Sequence, residues 1–373
     1  MTSADLEPAL LDLSTPAAAL TATLVDLESV SGDEGPIADA VERALRRYPS
    51  LAVRRLGNVV IARTELGRPE RIVLAGHLDT VPVAGNLPSK IAHGRLYGCG
   101  TSDMKAGVAL QLRAAHLIGT GELVPAMDLT WLFYDCEEVE AERNGLNRVA
   151  AEHPELLAAD LAILLEPTDG MVEGGCQGTM RATLTLTGRR AHSARSWLGI
   201  NAVHLAAPVL TRLADYTARE VTVEGLTYRE GLNAVFIDGG VAGNVVPDRC
   251  TVAVNYRFAP DRSEADAERH LREVFDGFEL VVLDSAPAAR PGLDRPLPQR
   301  VVAALGGQVR AKLGWTDVAR FSGLGIPALN FGPGDPNLAH KVDESVELSV
   351  LAEAERALLA FLAGSSMQSP AAP

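Results

Sequence analysis

Arg71-Ile-Val-Leu-Ala-Gly-His-Leu-Asp79 is a short apolar run that ends on a histidine and an aspartate. A run this brief, continuous rather than alternating, fits a strand buried on both faces of a sheet. Two more stretches share its form: Leu129 to Tyr134 (LTWLFY), followed by Glu137 and Glu138, and Leu161 to Leu165 (LAILL), followed by Glu166. Helical stretches lie between them, which is the order of an α/β protein with a mostly parallel central sheet flanked by helices. Open sheets of that kind present their ligand crevice at the carboxyl ends of the strands. His77, Asp79, Glu137, Glu138 and Glu166 all fall at such ends.

Outward from these runs, Thr15-Pro16 reads as a cap and first helical position, with Leu20, Leu24 and Leu27 repeating on one face to about Glu28. A second helix is expected near 36–47. After about residue 180 the periodicity changes. Arg181 to Thr187 and Thr251 to Arg257 alternate apolar with polar, the signature of antiparallel strands with one wet face. Asn201 to Ala214 and Ser263 to Phe275 read as helices, the latter with Leu271, Val274 and Phe275 on its apolar side. A small α+β domain over 180–293 is therefore expected as an insertion, with 1–179 and 294–373 forming a discontinuous first domain. Asp284 to Pro298, with four prolines, reads as the return hinge. Ile326 to Phe331 and a helix near 349–363 complete the first domain.

Length supports two domains. With 34 basic against 48 acidic residues the net charge is −14, which disfavours non-specific binding to nucleic acid or anionic membranes. Cys99, Cys136, Cys176 and Cys250 lie far apart without a Cys-x-x-Cys pair, so neither a disulfide framework nor a thiolate zinc site is indicated, and a reducing cytoplasm fits. The start, MTSADLEPALLDLS, lacks the features of a secretory signal, and no apolar stretch approaches the roughly 18 residues of a membrane span. The last ten residues, GSSMQSPAAP, read as a disordered tail.

Each polar residue has a bland reading beside the chemical one. His77 and Asp79 are two apart and share a face if strand geometry persists, so Asp79 can hydrogen-bond the ring nitrogen that does not face a metal; alone they are a surface loop pair. Asp103, in Gly98-Cys-Gly-Thr-Ser-Asp-Met-Lys-Ala-Gly107, is by itself a helix cap, but a carboxylate there can also bridge two cations. Adjacent Glu137 and Glu138 beside a buried strand repel one another unless something cationic compensates; one can ligate a metal while the other polarises a water. Glu166 can be a polar strand end, and His340 lies in the Gly- and Pro-rich loop 332–341. Taken together, two imidazoles and several carboxylates supply the N/O donors that two divalent cations accept.

The order and spacing of these residues resemble the co-catalytic zinc peptidase and deacylase family, which includes desuccinylases, acetylornithine deacetylase, aminoacylase and carboxypeptidase G. The resemblance runs from about residue 15 to 363. It implies two zinc ions per subunit, or cobalt or manganese in their place, with His77 and Glu166 on one, Glu138 and His340 on the other, and Asp103 bridging through a loop with a cis Asp103-Met104 peptide. It further implies Glu137 as general base, Asp79 orienting His77, and an inserted lid that makes a homodimer. His192 would then reach across the dimer to stabilise an oxyanion, and Asn244 and Arg257 would hold the polar end of a small acidic substrate. YGCGTSDMKAG, FYDCEE, EGGCQGT, RAHSARSWLG and VNYRFAPDRS resemble the branch that removes succinate from N-succinyl-LL-2,6-diaminopimelate. Where better-known members of that branch carry a pair of arginines for a substrate carboxylate, this chain has Cys176 and Gln177, and Arg195 is a candidate replacement.

Rivals within the same ligand set are acetylornithine deacetylase, aminoacylase and dipeptidase activities, which only lid and pocket residues separate. A non-catalytic binding protein on the same fold predicts a broken ligand set, whereas all five donors and the base are present. A dinucleotide-binding dehydrogenase lacks its Gly-x-Gly-x-x-Gly after the early strands, and a P-loop is absent.

Overall fold

The computed structural model describes residues 11–364. The first ten residues and the tail from 365 onward, including nearly all of the segment expected to be disordered, lie outside the described residues.

Two compact units make up the chain. One comprises the residues up to Gly174 together with Gly292–Arg310 and those from Arg320 on; the other comprises Gly175–Pro291 and Ala311–Ala319. In the first, an eight-stranded sheet runs in the order Ala52–Leu56, Val59–Arg63, Asp128–Tyr134, Arg71–His77, Leu161–Leu164, Ala328–Asn330, Val172–Gly174, Val309–Ala311. The middle four are mutually parallel: Arg71–His77 pairs with Asp128–Tyr134 on one side and Leu161–Leu164 on the other, and Ala328–Asn330 pairs with Leu161–Leu164. These are the continuous apolar runs, and their residues are buried on both faces. Helices Ala17–Asp26, Gly35–Leu45, Lys105–Gly119 and Leu348–Leu362 contribute Leu24, Val41, Leu112 and Leu358 to the core formed with Leu74, Trp131 and Ile163. Fully burying side chains of this size stabilises by about 1.5–3 kcal/mol each.

The helix Lys105–Gly119 is the piece that matters most for position. Gly107 lies against the Leu165 main chain, where any Cβ would collide with the carbonyl. Only glycine lets the helix start approach the strand end that carries Glu166.

The second unit is built on a four-stranded antiparallel sheet, Gly231–Gly239, Arg249–Phe258, Gly178–Thr187, Glu279–Ala286. Its two central strands bury alternate residues, Ala182, Leu184, Val252, Val254 and Tyr256, against Leu271 of the helix Glu264–Val274 and Phe275 at its C-terminal cap. That helix opens with a capping box between Ser263 and Asp266.

Several local expectations shift. Thr15 spends its hydroxyl on the Asp12 carbonyl, leaving Pro16 at the cap position with no side-chain cap. The stretch expected as one helix over 201–214 is two, Ala202–Leu205 and Ala207–Ala214, because Pro208 lacks an N–H and falls in the first turn of a new helix. Of the expected proline-rich hinge, Asp284 to Ala286 belong to an edge strand and Pro296 opens the helix Pro296–Ala304.

Candidate metal centre

His77 ends its strand; Glu137 and Glu138 follow Tyr134, and Glu166 follows Leu164 by two residues. Because the three strands are parallel neighbours, these side chains emerge at one edge of the sheet. Asp103 comes from the loop before Lys105–Gly119, across a cis Asp103-Met104 peptide. The cap position of that helix is Met104, without a side-chain cap, so Asp103 is free of the capping role that its place in the sequence allowed. His340 comes from the loop 331–344 with a left-handed backbone, φ 63°.

Three donor groups result: His77, Asp103 and Glu166; Asp103, Glu138 and His340; and His77, Glu137 and Glu138, the donor atoms of each lying within 4.8 Å of one another. Asp103 belongs to both of the first two. Its Oδ1 lies 3.1 Å from His77 Nε2 and its Oδ2 3.4 Å from His340 Nε2, while His340 Nε2 is 2.8 Å from Glu138 Oε1. Two donors bound to one tetrahedral zinc at about 2.0–2.1 Å stand about 3.3 Å apart. The imidazole-to-Asp103 spacings are thus of the size that donors to a shared divalent cation would have. His77 is 1% exposed and His340 49% exposed.

Electrostatics reflect the crowding of acids around two imidazoles. Burial opposes protonation of His77, but hydrogen bonds to Asp103 and Asp79 and their charges outweigh it and hold its pKa well above the usual value. Hydrogen bonds to Asp103 and Glu138 raise His340 to about 10. Burial pushes Asp79 upward, yet His77 and the main-chain amides of Glu137 and Glu138 bring it down to about 2.

The expected contact between the Asp79 carboxylate and His77 is not the main one. His77 Nδ1 meets the Asp79 main-chain carbonyl at 3.0 Å, with the carboxylate Oδ1 at 3.5 Å. The carboxylate is occupied elsewhere: Oδ1 accepts the Glu137 N–H and Oδ2 the Glu138 N–H, each at 3.0 Å, and Ser31 Oγ donates to Oδ2 at 2.7 Å. Glu34 braces the same turn. Its Oε1 accepts the Cys136 N–H at 3.1 Å, the Cys136 thiol at 3.3 Å and the Gly32 N–H at 2.7 Å, and Cys136 is held with φ 57°. Ser31 and Glu34 were not singled out from the sequence. A faint signal exists, since Ser31-Gly-Asp-Glu34 follows the first helix as a compact polar turn.

In the second unit His192 pairs with Val245 in a two-residue bridge, and the Ser193 N–H donates to the Asn244 carbonyl at 2.9 Å. The Ala194 N–H donates to His192 Nδ1 at 3.0 Å. A neutral ring with Nδ1 as acceptor carries its proton on Nε2. Arg195 is exposed at a kink in its short helix. Arg257 is half-buried, and its only side-chain hydrogen bond among the described residues runs from Nε to Asn255 Oδ1 at 3.2 Å; burial lowers its pKa. Cys176 and Gln177 are buried, the former paired through its main chain with Ala289 and the latter donating to the Arg229 carbonyl at 2.6 Å. All four cysteines are free and buried, and no helix among the described residues is long and apolar enough to cross a membrane.

The sequence profile of peptidase family M20/M25/M40 matches residues 73–364. A Mycobacterium tuberculosis chain provisionally named succinyl-diaminopimelate desuccinylase is 54% identical over 95% of this chain and 100% of its own. A Corynebacterium glutamicum chain named succinyl-diaminopimelate desuccinylase is 48% identical over 96% and 99%. Among solved structures, a Staphylococcus aureus tripeptidase superposes with a TM-score of 0.77 at 20% identity, covering 96% of this chain and 100% of its own; at that identity the likeness is one of fold.

Proposed function

The chain belongs to peptidase family M20/M25/M40 and is a metal-dependent hydrolase, and from that footing we propose that it hydrolyses N-succinyl-LL-2,6-diaminopimelate to succinate and LL-2,6-diaminopimelate. The observation that carries the reading is the pair of donor triads sharing Asp103, with Glu137 in the neighbouring group. His77, Asp103 and Glu166 would hold one divalent cation and Asp103, Glu138 and His340 the other; zinc suits the donor set, with cobalt or manganese as substitutes. When bound, such cations polarise an amide carbonyl and make water more acidic.

The chain's own residues do the rest. Glu137, aimed by the Asp79 carboxylate, takes a proton from the attacking water and returns it to the departing amine nitrogen as the C–N bond breaks. His192, with Nε2–H as its free donor, stabilises the oxyanion of the tetrahedral intermediate, the kind of donor worth about 3–4 kcal/mol. Arg257 offers guanidinium NH2 groups that have no acceptor among the described residues to a substrate carboxylate, and its fork can hold both oxygens. Asn244 and Arg195, exposed on neighbouring segments, complete the polar recognition. The two relatives near half identity favour this substrate over the deacetylase, aminoacylase and dipeptidase alternatives.

The second unit serves as lid and as homodimer surface on this reading. Gly231–Gly239 is an edge strand with Val235, Phe236 and Ile237 exposed in succession, Phe236 at 62%, the kind of edge that another strand covers. Free buried thiols suit the reducing cytoplasm. Steady-state comparison of N-succinyl-diaminopimelate with N-acetylornithine on zinc-loaded protein tests the substrate. A preference for the acetylated compound refutes it and leaves the hydrolase class standing.

A further inference from the structure

Glu344 lies outside both donor triads, yet it is 2% exposed and its carboxylate is filled by main-chain amides of a single loop. Oε2 accepts the Gly100 N–H at 2.9 Å, and Oε1 accepts the Ser102 N–H at 2.8 Å and the Asp103 N–H at 3.0 Å. The Glu344 carbonyl also accepts the Gly98 N–H at 3.1 Å. One side chain therefore gathers the whole turn that presents Asp103.

The segment that carries Glu344 also carries His340, four residues earlier, and its other end is fixed to the same turn. Asp335 O accepts the Ser102 hydroxyl at 3.0 Å, and Gly334 lies against the Ser102 main chain where a Cβ would collide. His340 thus sits on a loop pinned at both ends to the loop of Asp103. A buried carboxylate that accepts three amides fixes backbone position far better than apolar packing, because the acceptors have direction.

We infer that Glu344 is a positioning residue for the cation pair: it sets the Asp103 loop and ties the placement of Asp103 to that of His340. The inference rests on the assignment of those two residues as cation donors. Glu344→Gln keeps the volume and one oxygen but turns an NH2 group toward an amide N–H that needs an acceptor.

The test uses full-length protein stripped by chelator, titrated with Zn2+ against a competing chelator and with Co2+ while the visible d–d absorption is followed. Asp128→Asn is the control. Asp128 is another buried carboxylate that accepts two amides, those of Leu66 and Arg68, each at 2.8 Å, at the far end of a central strand. Glu344→Gln is expected to weaken cation binding by about 10–100-fold and to change the Co2+ spectrum, while Asp128→Asn lowers Tm and leaves both unchanged. Equal loss of Tm in the two variants with wild-type cation affinity in both would overturn the inference. Glu344→Asp, which keeps the charge on a shorter arm, is read in the same way if Glu344→Gln does not fold. Failure of both to fold even with saturating Zn2+ would also overturn it, by making Glu344 a stability residue. Wild-type protein that binds no cation refutes the donor assignment itself, an outcome distinct from these.

Discussion

Asp79 holds Glu137 by its main chain: Asp79 Oδ1 accepts the Glu137 N–H at 3.0 Å, and the other oxygen accepts the Glu138 N–H at the same distance. The proposed base and one proposed cation donor are therefore aimed by a carboxylate that uses both of its oxygens. Asp79→Asn replaces one acceptor with an NH2 group and leaves one amide facing a donor. Turnover is expected to fall about 10–100-fold, the usual cost of losing support behind a metal site, with far-UV circular dichroism unchanged. Wild-type turnover in this variant would show that the two amides do not depend on the charge of Asp79.

Glu137→Gln separates the base from the cations. Glutamine cannot take the proton of the attacking water, so kcat is expected to drop by at least about 10²–10⁴-fold. Zinc content by elemental analysis should stay near the wild-type value, because both triads that share Asp103 omit Glu137. Parallel loss of zinc would make Glu137 a ligand instead.

Much of this is legible in the amino-acid sequence. Three apolar runs mark buried parallel strands, parallel strands end at the same edge, and so His77, Glu137, Glu138 and Glu166 had to meet. What stayed hidden has a common physical character. Glu344 and Asp103 lie 241 residues apart and meet through a side chain and a main-chain amide, a pairing that leaves no periodicity in the sequence. Asp79 does face the His77 imidazole, with Oδ1 3.5 Å from Nδ1, but the two amides and the serine hydroxyl that also meet its oxygens leave no mark in the sequence. The edge strand Gly231–Gly239 was missed because its exposed residues do not alternate; the register shifts between Ala234 and Phe236, and a bulge there breaks the two-residue repeat.

The two cations proposed for these triads should leave in order. His340 is half exposed whereas His77 is buried, so a chelator is expected to strip the cation held with His340 first and that held with His77 later. Stopped-flow release monitored with a zinc dye should show two phases of equal amplitude. His340→Ala should abolish the fast phase and halve the zinc content, and a variant that keeps two zinc ions would remove His340 from the ligand set.

Glu230 makes the second unit sensitive to acid. Its side chain is fully buried and accepts from Arg219, Tyr256, Arg262 and the Ala259 amide. Burial raises its pKa, but these partners outweigh that and hold it below the usual value. A carboxylate depressed in the folded state stabilises fully above its unfolded pKa of about 4.3 and loses that contribution as pH falls through the depressed value. Glu230→Ala leaves buried groups unpaired and is expected to cost about 3–5 kcal/mol at pH 7, an upper range because Arg219 is partly solvated. Urea melts at pH 7 and pH 3 check this: the gap between wild type and variant should narrow at the lower pH, and a constant gap would refute the charge as its source.

His192 supplies the test of whether the active site is shared between subunits. The Ala194 amide fixes Nδ1 as an acceptor and leaves Nε2–H as the donor, so the residue suits an oxyanion, and it lies in the unit that also offers the exposed edge strand. His192→Ala and Glu137→Gln should each be nearly inactive alone. If His192 acts on the partner's substrate, a mixed dimer has one site with both defects and one with neither. Random exchange makes half of the dimers mixed, so about a quarter of wild-type activity should return when the two variants are unfolded, combined and refolded. A His192 that serves its own subunit gives two defective sites in every dimer and no recovery. Phe236→Lys, placed on the edge strand to block pairing by charge, should both lower the sedimentation coefficient and abolish the recovery; recovery that persists in a monomer would rule out the shared site.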